Sequence, residues 1–298
     1  MVHKVWDLLK ESVGRYFIVS GPRLAAATAF YAMLSLAPLL VAAVAGAAVI
    51  FGPAAARGEL TSQMRQHIGP EAATLVQDVL QNSRETGGGP LAVVLGVSLL
   101  LVAASGIFRE MQSAMDVIWA VETRPRKALL SFILKRLMSF LMVLVLGALV
   151  VASMASTSLL QALKALLPAS SSPWAYAMWK VLGYAVQLLL LTMLVTLTFK
   201  VLPDARVAWR DAAFGAFITA TLIVIGNFGI ALYLSRATTV SAYGAAGSLS
   251  VMLLWIYYTT MIFYFGAELT RVYARQAGRE IVPLKHAVKI ETKAQRDS

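Results

Sequence analysis

Six long runs of uncharged, mostly apolar residues, separated by shorter charged stretches, organise the chain; they cover about residues 24–51, 90–108, 137–163, 181–199, 212–235 and 247–267. An α-helix needs about 20 such residues to cross the hydrocarbon core of a bilayer, so each run predicts one membrane span. None shows the two-residue alternation of a barrel strand, and lipid offers no partner to an unpaired backbone group. The pattern therefore predicts an all-α fold, a polytopic membrane protein with six transmembrane helices in a domain over 24–275. The first run starts too late and is too long for a cleaved signal peptide.

The segments between the runs carry patterns of their own. Val5, Trp6, Leu9, Val13, Tyr16 and Phe17 recur at helical spacing among Lys4, Lys10 and Glu11. This predicts an amphipathic helix within 1–23, either lying along the cytoplasmic interface or packed on the bundle. Residues 52–89 read as a short external loop of two amphipathic helices, 59–68 and 71–82, broken at Gly69-Pro70. The loop is either a lid or a cap on helix ends. Residues 276–298 are polar and basic and predict a flexible cytoplasmic tail.

Composition supports this outline. Of 298 residues, 59% are hydrophobic and 14% charged, against roughly 45–50% and about 25% in soluble domains. A soluble globule, a disordered chain and a collagen-like fibre are thereby excluded. With no cysteine, thiol catalysis and disulfide scaffolds are excluded too. The net charge is +11, and 20 of the 26 Lys and Arg fall on the side of the two termini. By the positive-inside rule both termini are expected in the cytoplasm.

No charged residue lies within any of the six runs; the nearest are Arg109, Glu110 and Glu268 at run ends. A proton- or sodium-coupled carrier wants a carboxylate near the midplane, so ion coupling is disfavoured and no energy source is visible. Neutral polar residues form stripes: Thr28, Tyr31, Ser35 and Pro38; Ser250, Tyr257 and Tyr264 leading to Glu268; and Asn227 between Gly226 and Gly229. Gln187 and Thr198 share a face of the fourth run. Two readings fit these stripes, interhelical hydrogen bonds that hold a bundle, or a polar cavity between the first, fifth and sixth spans. Gly215 and Thr219, four apart, offer a small-residue face for a homodimer.

Enzyme chemistry finds no footing. His3, His67 and His286 are scattered along the chain, so no metal site is expected. Neither a phosphate-binding G-x-x-x-x-G-K-[ST] loop nor a G-x-S-x-G nucleophile turn is present. The protein is expected to be no enzyme, with no catalytic residue and no cofactor. Basic loops serve to fix topology or to meet anionic lipid, and nucleic acid is not an expected partner.

Three separated motifs resemble a known family. Ala29-Phe30-Tyr31-Ala32-Met33-Leu34-Ser35-Leu36-Ala37-Pro38 is similar to its first-span signature. Leu202-Pro203-Asp204-Ala205-Arg206-Val207, followed by Trp209-Arg210-Asp211-Ala212 and Gly215-Ala216, matches a second. Ser241-Ala242-Tyr243-Gly244-Ala245-Ala246-Gly247-Ser248, leading to Leu254-Trp255-Ile256-Tyr257-Tyr258 and Gly266-Ala267-Glu268, matches a third. The chain resembles the YihY/BrkB family of bacterial inner-membrane proteins from Gly14 to Ala274, in the same order and with the same six-span plan. Asp116 departs from it, standing where an asparagine is expected. The resemblance implies the bacterial cytoplasmic membrane, an association with virulence, and a role in envelope lipid transport. An older ribonuclease BN label is argued against by the scattered histidines.

The resulting expectation is a protein that binds or translocates an amphiphilic anionic envelope lipid. Tyr31, Ser35, Pro38, Asn227, Tyr257, Tyr264 and Glu268 would line its route. Arg109, Arg124, Arg126, Lys127 and Arg136 would contact the headgroup phosphate. The alternatives are a non-transporting membrane scaffold that recruits envelope partners, or a carrier of a small solute.

Overall fold

The computed structural model describes residues 2–35, 106–123, 173–236, 244–279, 281–284 and 287–289. Six helices are seen: α1 (Val2–Ile18), α2 (Gly21–Ser35), α3 (106–118), α4 (Pro173–Val201), α5 (Trp209–Arg236) and α6 (Gly244–Gln276). Four short strands, β1 (Val121–Thr123), β2 (Ala205–Arg206), β3 (Val282–Pro283) and β4 (Ala287–Lys289), lie between and after them.

Helices α4, α5 and α6 contain the fourth, fifth and sixth apolar runs. At about 1.5 Å per residue each exceeds 40 Å, more than the ~30 Å hydrocarbon core. Only 17%, 33% and 22% of their most apolar windows are buried. Helices this apolar and this exposed have lipid as their solvent, and the protein is a helical membrane protein. Among the described residues three helices qualify as spans, and a fourth if α1 and α2 count as one bent span. Residues 36–51, nearly all of the second run, the third run and the 52–89 loop lie outside the described residues.

Seven threonine hydroxyls of the spans are satisfied inside their own helices. Thr192, Thr196, Thr198, Thr219, Thr221, Thr260 and Thr270 each donate to the carbonyl four residues earlier. Thr198 thus needs no partner on another helix.

Helix α5 packs between α4 and α6, while α1 lies on α6. The α5–α6 seam is reciprocal. Gly215 faces Thr270 and Gly266 faces Thr219, so a Cβ at either glycine would overlap the opposing threonine side chain. Two G-x-x-x-T stretches on antiparallel helices thereby mesh, each threonine filling the notch left by the other helix's glycine. Gly215 and Thr219 are spent within the chain, and the small-residue face expected to serve a homodimer is not free.

The tightest core lies at the end of the bundle that carries α1 and the C-terminal residues, here termed the basal end. Phe199 of α4 sits 5.1 Å from Phe263 and 6.3 Å from Trp119, ring centre to ring centre. The Trp119 Nε1–H donates to the Ala267 carbonyl at 3.0 Å. Met115, Ile118, Ala212 and Ala216 are buried around them.

Of the segment expected to be a flexible tail, residues 276–279, 281–284 and 287–289 are described, and these are ordered. Arg206 and Ala205 of β2 pair antiparallel with Val282 and Pro283 of β3, and β1 pairs with β4 from Val121↔Lys289 to Thr123↔Ala287. Ile281 and Ala287 are buried there. Helix α6 also runs nine residues beyond its apolar run. Its first charges there, Glu268 and Arg271, are i,i+3 neighbours 3.9 Å apart and offset each other.

Candidate functional site

Residues seven and four apart fall on nearly the same face of a helix. Tyr257, Tyr264 and Glu268 therefore form one stripe of α6, turned away from the α5 seam that Trp255, Gly266 and Thr270 occupy. The stripe meets α1, α2 and α3 at the basal end.

Glu268 is fully buried. Its Oε1 accepts the Arg15 Nε–H at 2.7 Å, across 253 residues of sequence. Its Oε2 lies 3.9 Å from Arg271 Nη1 and accepts no hydrogen bond among the described residues. Arg271 also donates to the Ile118 carbonyl at the end of α3. Two arginines, both about 13–14% exposed in their side chains, thus share one carboxylate. The cluster keeps a net positive charge at the basal end.

One turn above Glu268, the fully buried Tyr264 hydroxyl shares a 2.6 Å hydrogen bond with Thr28 of α2. Tyr16 of α1 and Glu110 of α3 are electrostatic neighbours of Tyr264, and Tyr16 also of Tyr257. The Tyr16 hydroxyl is buried without a hydrogen-bond partner among the described residues. Its ring packs edge-on against Phe265 and closes over Gly21, where any Cβ would overlap it.

Arg15 and Tyr16 are positioned by the α1–α2 corner. Helix α1 ends at Ser20, whose φ of +56° is left-handed, and Pro22 opens α2 within its first turn, where no N–H is needed. The two axes bend by 64°. Leu8, Ser12 and Tyr16 face inward, with Ser12 donating to the Leu8 carbonyl at 2.7 Å. Trp6, Val13 and Phe17 face outward at 65%, 44% and 65% exposure. Farther along, Glu11 pairs with Arg275 and accepts from Gln276. Helix α1 is therefore packed on α6 and keeps an exposed apolar face on its other side.

Two more acids hold the basal end. Asp116 Oδ1 accepts the Asp204 N–H at 2.9 Å. An asparagine carbonyl would accept the same bond, which accounts for the exchange at this position. Asp211 takes Arg279 in a fork, Nη2 to Oδ1 at 2.6 Å and Nε to Oδ2 at 3.0 Å, and this bonding holds the guanidinium further into its charged form.

The residues expected along one route separate into groups. Tyr264 and Glu268 come together with Thr28, and Tyr257 lies on the same stripe. Ser35 is buried, whereas Tyr31 and Arg109 are exposed. Asn227 does not join them: its Oδ1 accepts the Trp255 Nε1–H at 3.2 Å on the α5 side of α6. Beside it a Cβ at Gly226 would overlap Tyr258. Among the described residues Asn227 thus pairs with Trp255 between α5 and α6, away from the Tyr264–Glu268 stripe. Pro38, Arg124, Arg126, Lys127 and Arg136 lie outside the described residues. Arg15 was not among the expected residues; on the helix it shares a side with Lys4 and Glu11, so nothing in the sequence signalled a buried partner.

The family model described as virulence factor BrkB matches residues 14–291. A UPF0761 membrane protein of Rhodospirillum centenum is 28% identical over 267 residues, which is 88% of this chain and 56% of that protein. One from Azotobacter vinelandii is 28% identical over 89% of this chain and 62% of its own length. The UPF0761 membrane protein YihY of Escherichia coli O139:H28 is 29% identical over 219 residues, 71% of this chain and 70% of that protein. The chain spans less than two thirds of the length of the first two of these relatives. No solved structure matches.

Proposed function

The chain belongs to the virulence factor BrkB family, the YihY or UPF0761 membrane proteins, and from that premise we propose that it binds, and passes across the bilayer, an amphiphilic anionic lipid of the bacterial envelope. In this reading six helices cross the cytoplasmic membrane, and the basal end faces the cytoplasm with both termini. The activity is movement or binding rather than catalysis, without cofactor or energy source of its own.

The observation that carries the reading is the Arg15–Glu268–Arg271 cluster at the basal end of a membrane span. As a stabilising device it is poor, since desolvating charges costs about as much as their attraction returns. As a binding device it makes sense. Glu268 occupies the place of a phosphate, and an incoming headgroup takes over the arginines through charge-assisted hydrogen bonds. The Tyr257 and Tyr264 hydroxyls continue the polar stripe along α6, with Tyr31 and Ser35 on α2. The corner at Ser20 lets α1 carry Arg15 away from α6 as the lipid passes. Arg109, exposed on α3, is a further contact for the headgroup.

Native mass spectrometry of the full chain in mild detergent, titrated with equimolar phosphatidylglycerol and phosphatidylcholine, tests this. The anionic lipid is retained preferentially, and Arg15→Gln lowers its retention about tenfold, while Arg15→Lys lowers it less. Glu268→Gln keeps or tightens it. Equal retention of both lipids, or indifference to Arg15→Gln, overturns the proposal. A non-transporting scaffold is the second reading, favoured by the paired strands that give the basal end an ordered platform.

A further inference from the structure

The segment joining α4 to α5 sorts its charges by sign. Of Lys200, Asp204, Arg206, Arg210 and Asp211, both acids are buried, at 6% and 1% exposure. Asp204 lies against Asp116, and Asp211 is held by Arg279. Arg206 and Arg210 are exposed, and among the described residues neither meets a carboxylate. Lys200 turns its ammonium to the Val207 carbonyl and lies 5.5 Å from the centre of the Trp209 ring. Lys200 thus lies over an indole that is 57% exposed, and Arg206 and Arg210 are exposed within three residues of it in sequence.

This corner sits where two apolar spans end, the depth at which tryptophan and cations meet lipid headgroups. Below it a lipid-facing strip continues. Arg210, Phe217, Val224 and Phe228 are spaced seven, seven and four apart on one face of α5, and the three apolar side chains are 52%, 41% and 74% exposed. From Arg210 to Phe228 the strip runs about 27 Å, close to the thickness of the hydrocarbon core.

We infer that Lys200, Arg206, Trp209 and Arg210 form a lateral binding site for the phosphate headgroup of an anionic glycerophospholipid, whose acyl chains lie along Phe217, Val224 and Phe228. The positive-inside rule alone asks only for cations on one side. It does not ask for the neighbouring acids Asp204 and Asp211 to be buried, with Asp211 paired to Arg279, nor for an exposed indole at the same depth. The site is on the far side of α5 from the seam with α6, apart from the Arg15–Glu268 cluster, and it stands independently of lipid passage through the bundle.

A photo-crosslinking amino acid at position 217 of the full chain, in nanodiscs of phosphatidylglycerol and phosphatidylcholine at one to four, reads the occupant directly. The ratio of crosslinked phosphatidylglycerol to phosphatidylcholine exceeds its bulk value by about tenfold, which raises the phosphatidylglycerol share from one fifth to about seven tenths, as expected for cations at the surface. The share returns to bulk in Arg206→Gln/Arg210→Gln and stays enriched in Arg206→Lys/Arg210→Lys. Arg15→Gln leaves it unchanged, which separates this site from the proposed route. A bulk ratio in the unsubstituted chain, or enrichment that survives the double glutamine variant, overturns the inference.

Discussion

Glu268 shows how much one side chain in a membrane span can depend on a distant one. Its burial is tolerable only with Arg15 and Arg271 in place, so removing the carboxylate leaves two cations facing each other in a desolvated site. Glu268→Ala is expected to cost about 3–5 kcal/mol of stability, seen as a lowered midpoint of thermal unfolding in detergent. In a double-mutant cycle with Arg15→Gln the two losses fall short of adding, because the second change removes a charge already orphaned. Asp116 is a gentler case. Asp116→Asn keeps an acceptor for the Asp204 N–H and is expected to be nearly neutral, whereas Asp116→Ala costs about 1–3 kcal/mol in the same measurement. A larger loss for asparagine than for alanine would contradict this account of the position.

At the scale of elements, the α5–α6 seam and the α1–α2 corner behave differently. The seam is set by reciprocal glycine and threonine contacts, so bulk on either helix must push the pair apart. Gly215→Val and Gly266→Val are each expected to lower the yield of folded protein by size-exclusion chromatography, while Gly229→Ala, where no atom lies near a new Cβ, leaves it unchanged. Helix α1 is held to α6 by ion pairs and one buried face, and its other face is apolar and exposed. In nanodiscs, nitroxides placed at Val13 and Phe17 should be reached by lipid-soluble oxygen, and one at Ser12 should be shielded. The absence of native cysteine makes all three labels clean. Uniform accessibility along α1 would mean that it does not lie in the interface.

Across the whole molecule, the basal end is tied by segments far apart in sequence. Arg279 reaches Asp211, β3 joins β2, β4 joins β1, and Leu284 N–H donates to the Asp204 carbonyl at 3.0 Å. The C-terminal residues thereby strap α3, α4 and α5 to the end of α6. Glu122 and Val288 are directly opposed in the β1–β4 register, and opposed Cα atoms of paired strands lie within disulfide range. Glu122→Cys with Val288→Cys should form an intramolecular crosslink on mild oxidation, detected as a mobility shift that reductant reverses. No shift would place the tail elsewhere.

The sequence by itself determined what near neighbours decide. The length and charge-free character of the apolar runs made α4, α5 and α6 membrane helices, and the spacing from Trp6 to Phe17 made α1 amphipathic. The motifs around Tyr31, Asp204 and Tyr257 marked the family. The tertiary structure decided which faces meet. In lipid every apolar face of a helix is equally well solvated, so hydrophobicity does not mark the side that packs. Only steric fit, as between Gly215 and Thr270, and long-range polar pairing, as between Arg15 and Glu268, choose among faces. That is why Asn227 and Glu268, both polar and both near α6, could be read as lining one route although α6 stands between them. It is also why a charged tail with only short apolar stretches read as free. Ile281 and Ala287 gain a place only once β1, β2 and the ends of the helices have been brought together beneath them.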